Sequence, residues 1–137
     1  MKGIILHGGH GTRLRPLTHT GPKQLLPIAN KPMSEYCVES LCNAGITDIA
    51  IIIGGIGSNK VQEYYGDGKN FGVKINYIQE KTRMGTAGAL SLFQKKPNKP
   101  FFVINGDLLT NLNFDKMLDF HIHHNSNATM CVTEYNI

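Results

Sequence analysis

The spacing of hydrophobic positions changes several times along the chain, and each change marks an element. Gly3 to Leu6 is a continuous apolar run, as expected for a strand covered on both faces. From Pro32 the period lengthens. Met33, Tyr36, Cys37, Ser40, Leu41 and Ala44 recur at helical spacing, with the proline suited to a first turn and Gly45 as the stop. Ile49 to Ile53 is again unbroken and apolar, a second buried strand that runs out into Gly54-Gly55-Ile56-Gly57. Ser58 then predicts the N-cap of a short helix through Val61, Tyr64 and Tyr65. Beyond the turn Gly66-Asp67-Gly68, Val73 to Ile78 alternates as a third strand. Thr86 predicts the cap of a helix through Ala87, Ala89, Leu90 and Phe93, closed by Pro97. Phe101 to Ile104 is the fourth strand and leads straight into Asn105-Gly106-Asp107. A helix from about Asp115 uses Met117, Leu118 and Ile122, and Ala128 to Val132 predicts a fifth strand.

Strands that alternate with helical segments predict an α/β fold, three layers built on a mostly parallel, Rossmann-like sheet. In open sheets of this kind ligands bind beyond the carboxyl ends of the strands. A glycine-rich loop follows strand one and Asp107 follows strand four, so two chemically unusual segments fall on one sheet edge.

Composition narrows the class of ligand. With 137 residues, 41% hydrophobic and 18% charged, the chain has the size and balance of one globular domain. The formal net charge of +4 is concentrated early: Lys2, Arg13, Arg15, Lys23 and Lys31 all precede the first acid, Glu35. Trp is absent and the basic residues are not interleaved with aromatics, which argues against a nucleic acid polymer. A phosphate-rich small molecule fits the local cluster better.

The three cysteines show no CxxC spacing, and Cys37 and Cys42 share a helix without facing each other. No stretch reaches the roughly 18 apolar residues of a membrane span. The apolar run after Lys2 is too short for a signal peptide, so the expected location is cytoplasmic, away from membranes. Lys95, Lys96 and Lys99 read as a solvated loop. In His121-Ile122-His123-His124, His121 and His124 share a helix face, but neither HExxH nor Cys-His spacing accompanies them. A solvated helix end is the better reading than a zinc site.

The early loop carries the chemistry. It runs Leu6-His7-Gly8-Gly9-His10-Gly11-Thr12-Arg13-Leu14-Arg15-Pro16-Leu17-Thr18 and is followed by Pro22-Lys23-Gln24. No GK[ST] follows the glycines, so it is not a P-loop. Leu14 stands where a dinucleotide fingerprint needs its third glycine, and the Gly55-x-Gly57 cluster fails likewise at Lys60. Exposed amides, the Thr12 hydroxyl and the cations of Arg13 and Lys23 are what a triphosphate needs.

At these positions the chain resembles the sugar nucleotidyltransferases. The stretch Gly8 to Thr18, followed by Pro22-Lys23 and by Leu26-Pro27-Ile28-Ala29-Asn30-Lys31-Pro32, is similar to that family's long signature. Gly85-Thr86-Ala87-Gly88-Ala89-Leu90 and Asn105-Gly106-Asp107 resemble its next two motifs, so the likeness covers nearly the whole chain. The segment Thr18 to Leu25 is most similar to glucose-1-phosphate thymidylyltransferases, whereas Gly85 to Leu90 is commoner in guanylyltransferase branches. Gln24 sits where the thymidylyl branch uses a glutamine near the base, which favours dTTP or UTP and leaves GTP open.

The resemblance implies transfer of a nucleotidyl group from a nucleoside triphosphate to a sugar 1-phosphate, with release of pyrophosphate. Arg13 and Lys23 would be catalytic, the first holding the triphosphate and its leaving group, the second bridging the reacting phosphates. Nucleotide binding would fall to Leu6, Gly8, Gly9, Gly11, Thr12, Arg13 and Gln24, then to Gln79 or Glu80, and to Gly85 and Thr86. Asp107 would hold Mg²⁺. Arg15 would support the loop. His7 and His10, which stand where the family usually has alanine and a small or polar residue, receive no catalytic role.

Family domains continue beyond this length, and their later part supplies the sugar pocket and a second metal-binding aspartate. No candidate for that aspartate occurs here. The expectation for residues 1–137 is therefore the N-terminal, nucleotide-binding part of a nucleotidyltransferase domain, without the sugar-binding part. The alternative is a non-catalytic module that binds a nucleotide or sugar phosphate. An open sheet edge and uncovered apolar surface leave room for a homo-oligomer.

Overall fold

The computed structural model describes residues 1–9, 11–55, 57–82, 84–93 and 98–134. In chain order the strands are β1 (Lys2–His7), β2 (Pro27–Ile28), β3 (Lys31–Pro32), β4 (Asp48–Ile53), β5 (Lys74–Gln79) and β6 (Phe101–Asn105). The helices are α1 (Met33–Asn43), α2 (Ser58–Tyr65), α3 (Gly85–Gly88) and α4 (Phe114–His123). The four long strands form a wholly parallel sheet in the order β5-β4-β1-β6. Its register pairs Leu6 with both Ile52 and Asn105, so β1, β4 and β6 end at one edge.

The unbroken apolar runs have a direct cause: both faces of the central strands are covered. Ile5, Ile49, Ile51, Ile53 and Ile104 face a core that also contains Val38 and Leu41 of α1, Val61 and Tyr65 of α2, and Phe114 of α4. Phe102 and Phe114 meet edge to face, with ring centroids 5.1 Å apart. On the opposite face Ile4 and Ile52 pack against Ala89, with Leu6, Ile78, Leu90 and Phe93 around them. That second layer is thin, because α3 lasts one turn and continues as a 3₁₀ segment. The outer strand β6 therefore leaves Phe101 and Val103 37% and 43% exposed.

The predicted α1 ends as its sequence requires. Gly45 adopts a left-handed φ of 71°, its N–H donates to the Cys42 carbonyl, and the Ile46 N–H reaches back to Leu41. This is the Schellman arrangement, and a left-handed residue at that position suits glycine. Pro32 sits just before the helix rather than in its first turn, because β3 uses it to pair with Pro27.

Several expectations are corrected. Ser58 and Thr86 are not side-chain caps: Ser58 is already the first residue of α2, and Thr86 lies inside α3, behind Met84. The cap of α4 is Asn113, whose side chain accepts the Lys116 N–H at 2.9 Å. Met117 and Leu118 of α4 pack on the core, but Ile122 is 60% exposed. Ala128 to Val132 is not a strand. Met130 and Val132 are exposed, because no strand in the sheet offers that segment a ladder to pair with. The Pro97 helix stop lies outside the described residues, as do Lys95 and Lys96. No described helix is long and apolar enough to cross a membrane.

Candidate active site

The glycine loop leaves the end of β1 and folds down on the segment that follows it. Gly11 has a left-handed φ of 57°, and a Cβ there would lie 2.8 Å from Thr18 Cγ2 and 3.1 Å from Lys23 Cβ. Glycine is therefore required by both backbone and space. The Thr18 hydroxyl donates to the Gly11 carbonyl at 2.7 Å, and the Leu14 N–H donates to the same oxygen at 2.9 Å. A 3₁₀ turn at Thr12–Leu14 then carries Arg13 out to the surface.

A second 3₁₀ turn, Lys23–Leu25, follows the extended Pro22 and supplies two more groups. Gln24 is buried, and its Nε2 donates to the Gly8 carbonyl at 3.0 Å. Its Oε1 is buried without a hydrogen-bond partner among the described residues. Lys23 points the other way, and its ammonium donates to the Asp107 carboxylate. Lys60 of α2 donates to the Thr20 carbonyl and so ties this segment to the neighbouring helix.

Asp107 is presented by a braced turn at the end of β6. The Gly106 N–H donates to the Leu6 carbonyl at 2.9 Å, and a Cβ on Gly106 would lie 2.6 Å from His7 Cδ2. From α1, the buried Cys37 thiol reaches the carbonyls of Asn105 at 3.3 Å and Leu108 at 3.1 Å. Burial pushes the Cys37 thiol up, so it stays a donor to these carbonyls.

These segments enclose a cavity of about 610 Å³ at the carboxyl edge of the sheet. Its walls are Leu6, Gly8, Gly9 and Thr12 from the loop, Gly54 and Gly55 beyond β4, and Glu80 beyond β5. Gly85 and Thr86 of α3 and Asp107 beyond β6 complete it, with Gln24 beneath. An adjoining cleft of about 210 Å³ adds Gly11, Arg13 and Lys23 to Gln24 and Asp107. Among the described residues Arg13 has no acidic partner.

All but one of the residues expected to bind nucleotide therefore line one connected depression. The exception is Gln79, exposed on β5 and lining neither cavity, so of the pair Gln79 and Glu80 the structure brings in Glu80. Arg15 is exposed and lines neither, and His10 lies outside the described residues. The sequence reading missed Gly54, Gly55, Lys81, Thr82 and Asn105 as walls of the cavity. Their one signal is topological, because parallel β4 and β5 carry their carboxyl ends to the edge where β1 ends.

The donor set can be tested against a cation. Among the described residues no three His, Cys, Asp or Glu side chains cluster around a metal site. Mg²⁺, however, is held by one or two carboxylates, with substrate phosphates and water completing its shell. Asp107, one carboxylate beside a lysine and an arginine suited to phosphate, fits an ion that arrives with its nucleotide.

His7, given no catalytic role by the resemblance, lines neither cavity. It is 2% exposed behind the Gly106 turn, edge-on to Tyr65, with neither ring nitrogen hydrogen-bonded among the described residues. Burial pushes its imidazole down to about 4, and the nearby Asp107 carboxylate offsets only part of that shift. The imidazole is neutral at pH 7 in the folded chain. Between pH 6.5 and 4 the unfolded chain takes up a proton that the folded chain refuses, so stability falls with pH across that window. The loss should reach about 3 kcal/mol near pH 4. Urea titrations at steps from pH 7.5 to 4.5 should show this decline in the wild type, and it should flatten in His7→Phe. A decline of equal slope in both proteins would show that other groups cause it.

A glycine loop and two cations at the carboxyl edge of a parallel sheet, facing a carboxylate on the loop after the neighbouring strand, define an α/β protein whose polar loops gather at one sheet edge. The chain belongs to the nucleotidyl transferase family, whose model matches residues 2–136. It is 42% identical over 137 residues to the mannose-1-phosphate guanyltransferase of Saccharomyces cerevisiae, covering 98% of this chain and 38% of that protein. It is 55% identical over 89 residues to the low-salt glycan biosynthesis nucleotidyltransferase Agl11 of Haloferax volcanii, covering 65% of this chain and 25% of the relative. The fold matches that of a glucose-1-phosphate thymidylyltransferase from Bacillus anthracis with a TM-score of 0.79 and 33% identity, over 89% of this chain and 50% of that one. It also matches HddC from Yersinia pseudotuberculosis, solved with GMP-PN, with a TM-score of 0.76 and 27% identity, over 88% and 54%. The chain thus spans well under two thirds of the length of the relatives it matches.

Proposed function

We propose that this chain is the nucleotide-binding part of a sugar-1-phosphate nucleotidyltransferase that uses GTP. The observation that carries the reading is the meeting of Lys23 and Asp107, 84 residues apart in sequence, in the cleft that Arg13 and the glycine loop also line. An oxygen of the sugar 1-phosphate attacks the α-phosphorus in line. The bond from that phosphorus to the bridging oxygen breaks, and pyrophosphate leaves with the electron pair. Such a reaction asks the protein mainly for positioning and charge neutralisation. Backbone amides of the loop cradle the phosphates. Arg13 holds the leaving pyrophosphate in a bidentate grip. Lys23 turns from Asp107 to the reacting phosphates. Asp107 would hold Mg²⁺, which when bound would supply further neutralisation of the phosphate charge.

Two considerations favour guanine over the thymine or uracil expected from Gln24. The relatives aligned along 98% of this chain include mannose-1-phosphate guanyltransferases from several organisms. Gln24 is also buried, with one of its two amide hydrogens committed to the Gly8 carbonyl, so its side chain is held by the loop rather than free to turn to a pyrimidine edge.

A coupled assay for pyrophosphate with Mg²⁺, four nucleoside triphosphates and several hexose 1-phosphates tests the reading. Release with GTP and one hexose 1-phosphate is the expected result. Nucleotide binding without release would favour the non-catalytic module or truncation, and no binding would sink both.

A further inference from the structure

Lys23 and Asp107 reach the cleft from distant parts of the chain, and one helix is bonded to the backbone behind each. Lys23 opens a 3₁₀ turn, and its carbonyl accepts the Leu26 N–H at 3.0 Å. The Leu26 carbonyl in turn accepts the N–H of Met33, the first residue of α1, at 3.0 Å. One helical turn further on, about 6 Å along the axis, comes Cys37. It is 1% exposed, and its thiol donates to the carbonyls of Asn105 and Leu108, 3.3 and 3.1 Å away. α1 therefore holds the Lys23 segment at its start and the Asp107 segment one turn later.

The two carbonyls bracket Asp107. Asn105 to Leu108 is a four-residue turn, closed by the Leu108 N–H on the Asn105 carbonyl at 3.3 Å, with Asp107 in third place. That closing bond is long, so the turn depends on what grips it from outside. On the β1 side the Gly106 N–H donates to the Leu6 carbonyl, and the His7 ring packs against Gly106. On the α1 side one S–H hydrogen is shared between the first and last carbonyls of the turn. A thiol is a weak donor, and its worth here lies in where it pulls. It ties both ends of the turn to a buried helix face. The carboxylate that projects from the middle of the turn to Lys23 shifts when either end shifts.

We propose that Cys37 is a positioning residue for the reaction, holding the Asp107 turn so that its carboxylate meets a phosphate-bound cation beside Lys23. This rests on the nucleotidyl-transfer reading above and adds a residue that lines neither cavity. Groups that orient a metal-ligating side chain are worth about 10- to 100-fold in metal affinity.

Cys37→Ala and Cys37→Ser separate the donor from the packing, because both leave similar voids and only serine keeps a donor. Two readouts are needed: Mn²⁺ binding in the presence of GTP, followed by electron paramagnetic resonance, and GTP binding in EDTA. In Cys37→Ala the Mn²⁺ affinity should fall about tenfold, while metal-free GTP binding stays within about twofold. Cys37→Ser should hold Mn²⁺ within about threefold of the wild type, because its hydroxyl keeps the contact. Wild-type Mn²⁺ affinity in the alanine variant, or equal losses in both variants, overturns the proposal. A parallel loss of metal-free GTP binding overturns it too, since a purely structural role would weaken both ligands. Should alanine not fold, Cys37→Val removes the donor while filling the space and takes its place. Should neither fold, Cys37→Ser decides, and a loss of about tenfold in its Mn²⁺ affinity refutes the proposal. A wild-type chain that binds GTP but no Mn²⁺ removes this proposal and leaves nucleotide binding standing. A folded wild-type chain that binds no GTP removes the parent reading as well.

Discussion

Arg13→Ala should lower the rate of pyrophosphate release about a thousandfold and weaken triphosphate binding in the same variant. The magnitude follows from what the side chain can do. Arg13 is exposed on a 3₁₀ turn, lines the cleft beside Lys23 and Asp107, and has no acidic partner among the described residues. Its removal costs the fold almost nothing, because an exposed side chain without a partner contributes little stability. On the proposed function it would cost the reaction a planar, bidentate cation at the oxygens where charge accumulates as pyrophosphate leaves, and arginines in that position in phosphoryl transfer carry about 10³-fold or more. Arg13→Lys should recover only part of the loss, since an ammonium is a point charge without the fork. Steady-state kinetics beside a thermal melt checks both halves. A wild-type rate in a normally folded Arg13→Ala would contradict the role.

Asp107→Asn should be nearly as damaging, by about a hundredfold or more in kcat, through a different step. The carboxylate pairs with Lys23, and both side chains keep about a third of their surface exposed, at 32% and 29%. Pairs so open to water contribute about 1 kcal/mol or less. The stability change is therefore small and the functional change large, and the two should separate in one experiment. The amide keeps the shape but loses the charge that a hard cation requires. Mn²⁺ binding, followed by its electron paramagnetic resonance signal in the presence of nucleotide, should be lost in Asp107→Asn and retained in Arg15→Ala. Retained Mn²⁺ binding in Asp107→Asn would take the cation away from this residue.

Much of this site can be read from the chain because its parts are local. Gly8 to Arg13 and Pro22 to Gln24 form continuous motifs, and the unbroken runs at β1 and β4 announce a sheet covered on both faces. From these the parallel edge follows, and with it the convergence of the loop on Asp107. What escapes is what depends on packing between segments. Nothing in the sequence distinguishes Glu80 from Gln79; only the alternation of β5 against β4 decides which one faces the cavity. Gln24 reads as a base contact, yet one of its two amide hydrogens is committed to the Gly8 carbonyl, a bond formed only when the loop folds back. The Ala128 to Val132 run has the composition of a strand but no neighbour to pair with, which local pattern cannot reveal. The brace of Cys37 and His7 behind Asp107 is invisible for the same reason, since it joins α1, β1 and the end of β6.

The central claim is that one sheet edge binds the nucleotide, and amide-resolved NMR of the 137-residue chain during titration with Mg²⁺–GTP tests it most directly. Shifts should concentrate at Gly8, Gly9, Gly11 and Thr12, at Gly54 and Gly55, at Gly85 and Thr86, and at Asp107, while α4 and the amino ends of the strands stay unmoved. Shifts confined to α4 or to the far edge of the sheet, or none at saturating nucleotide, would contradict it.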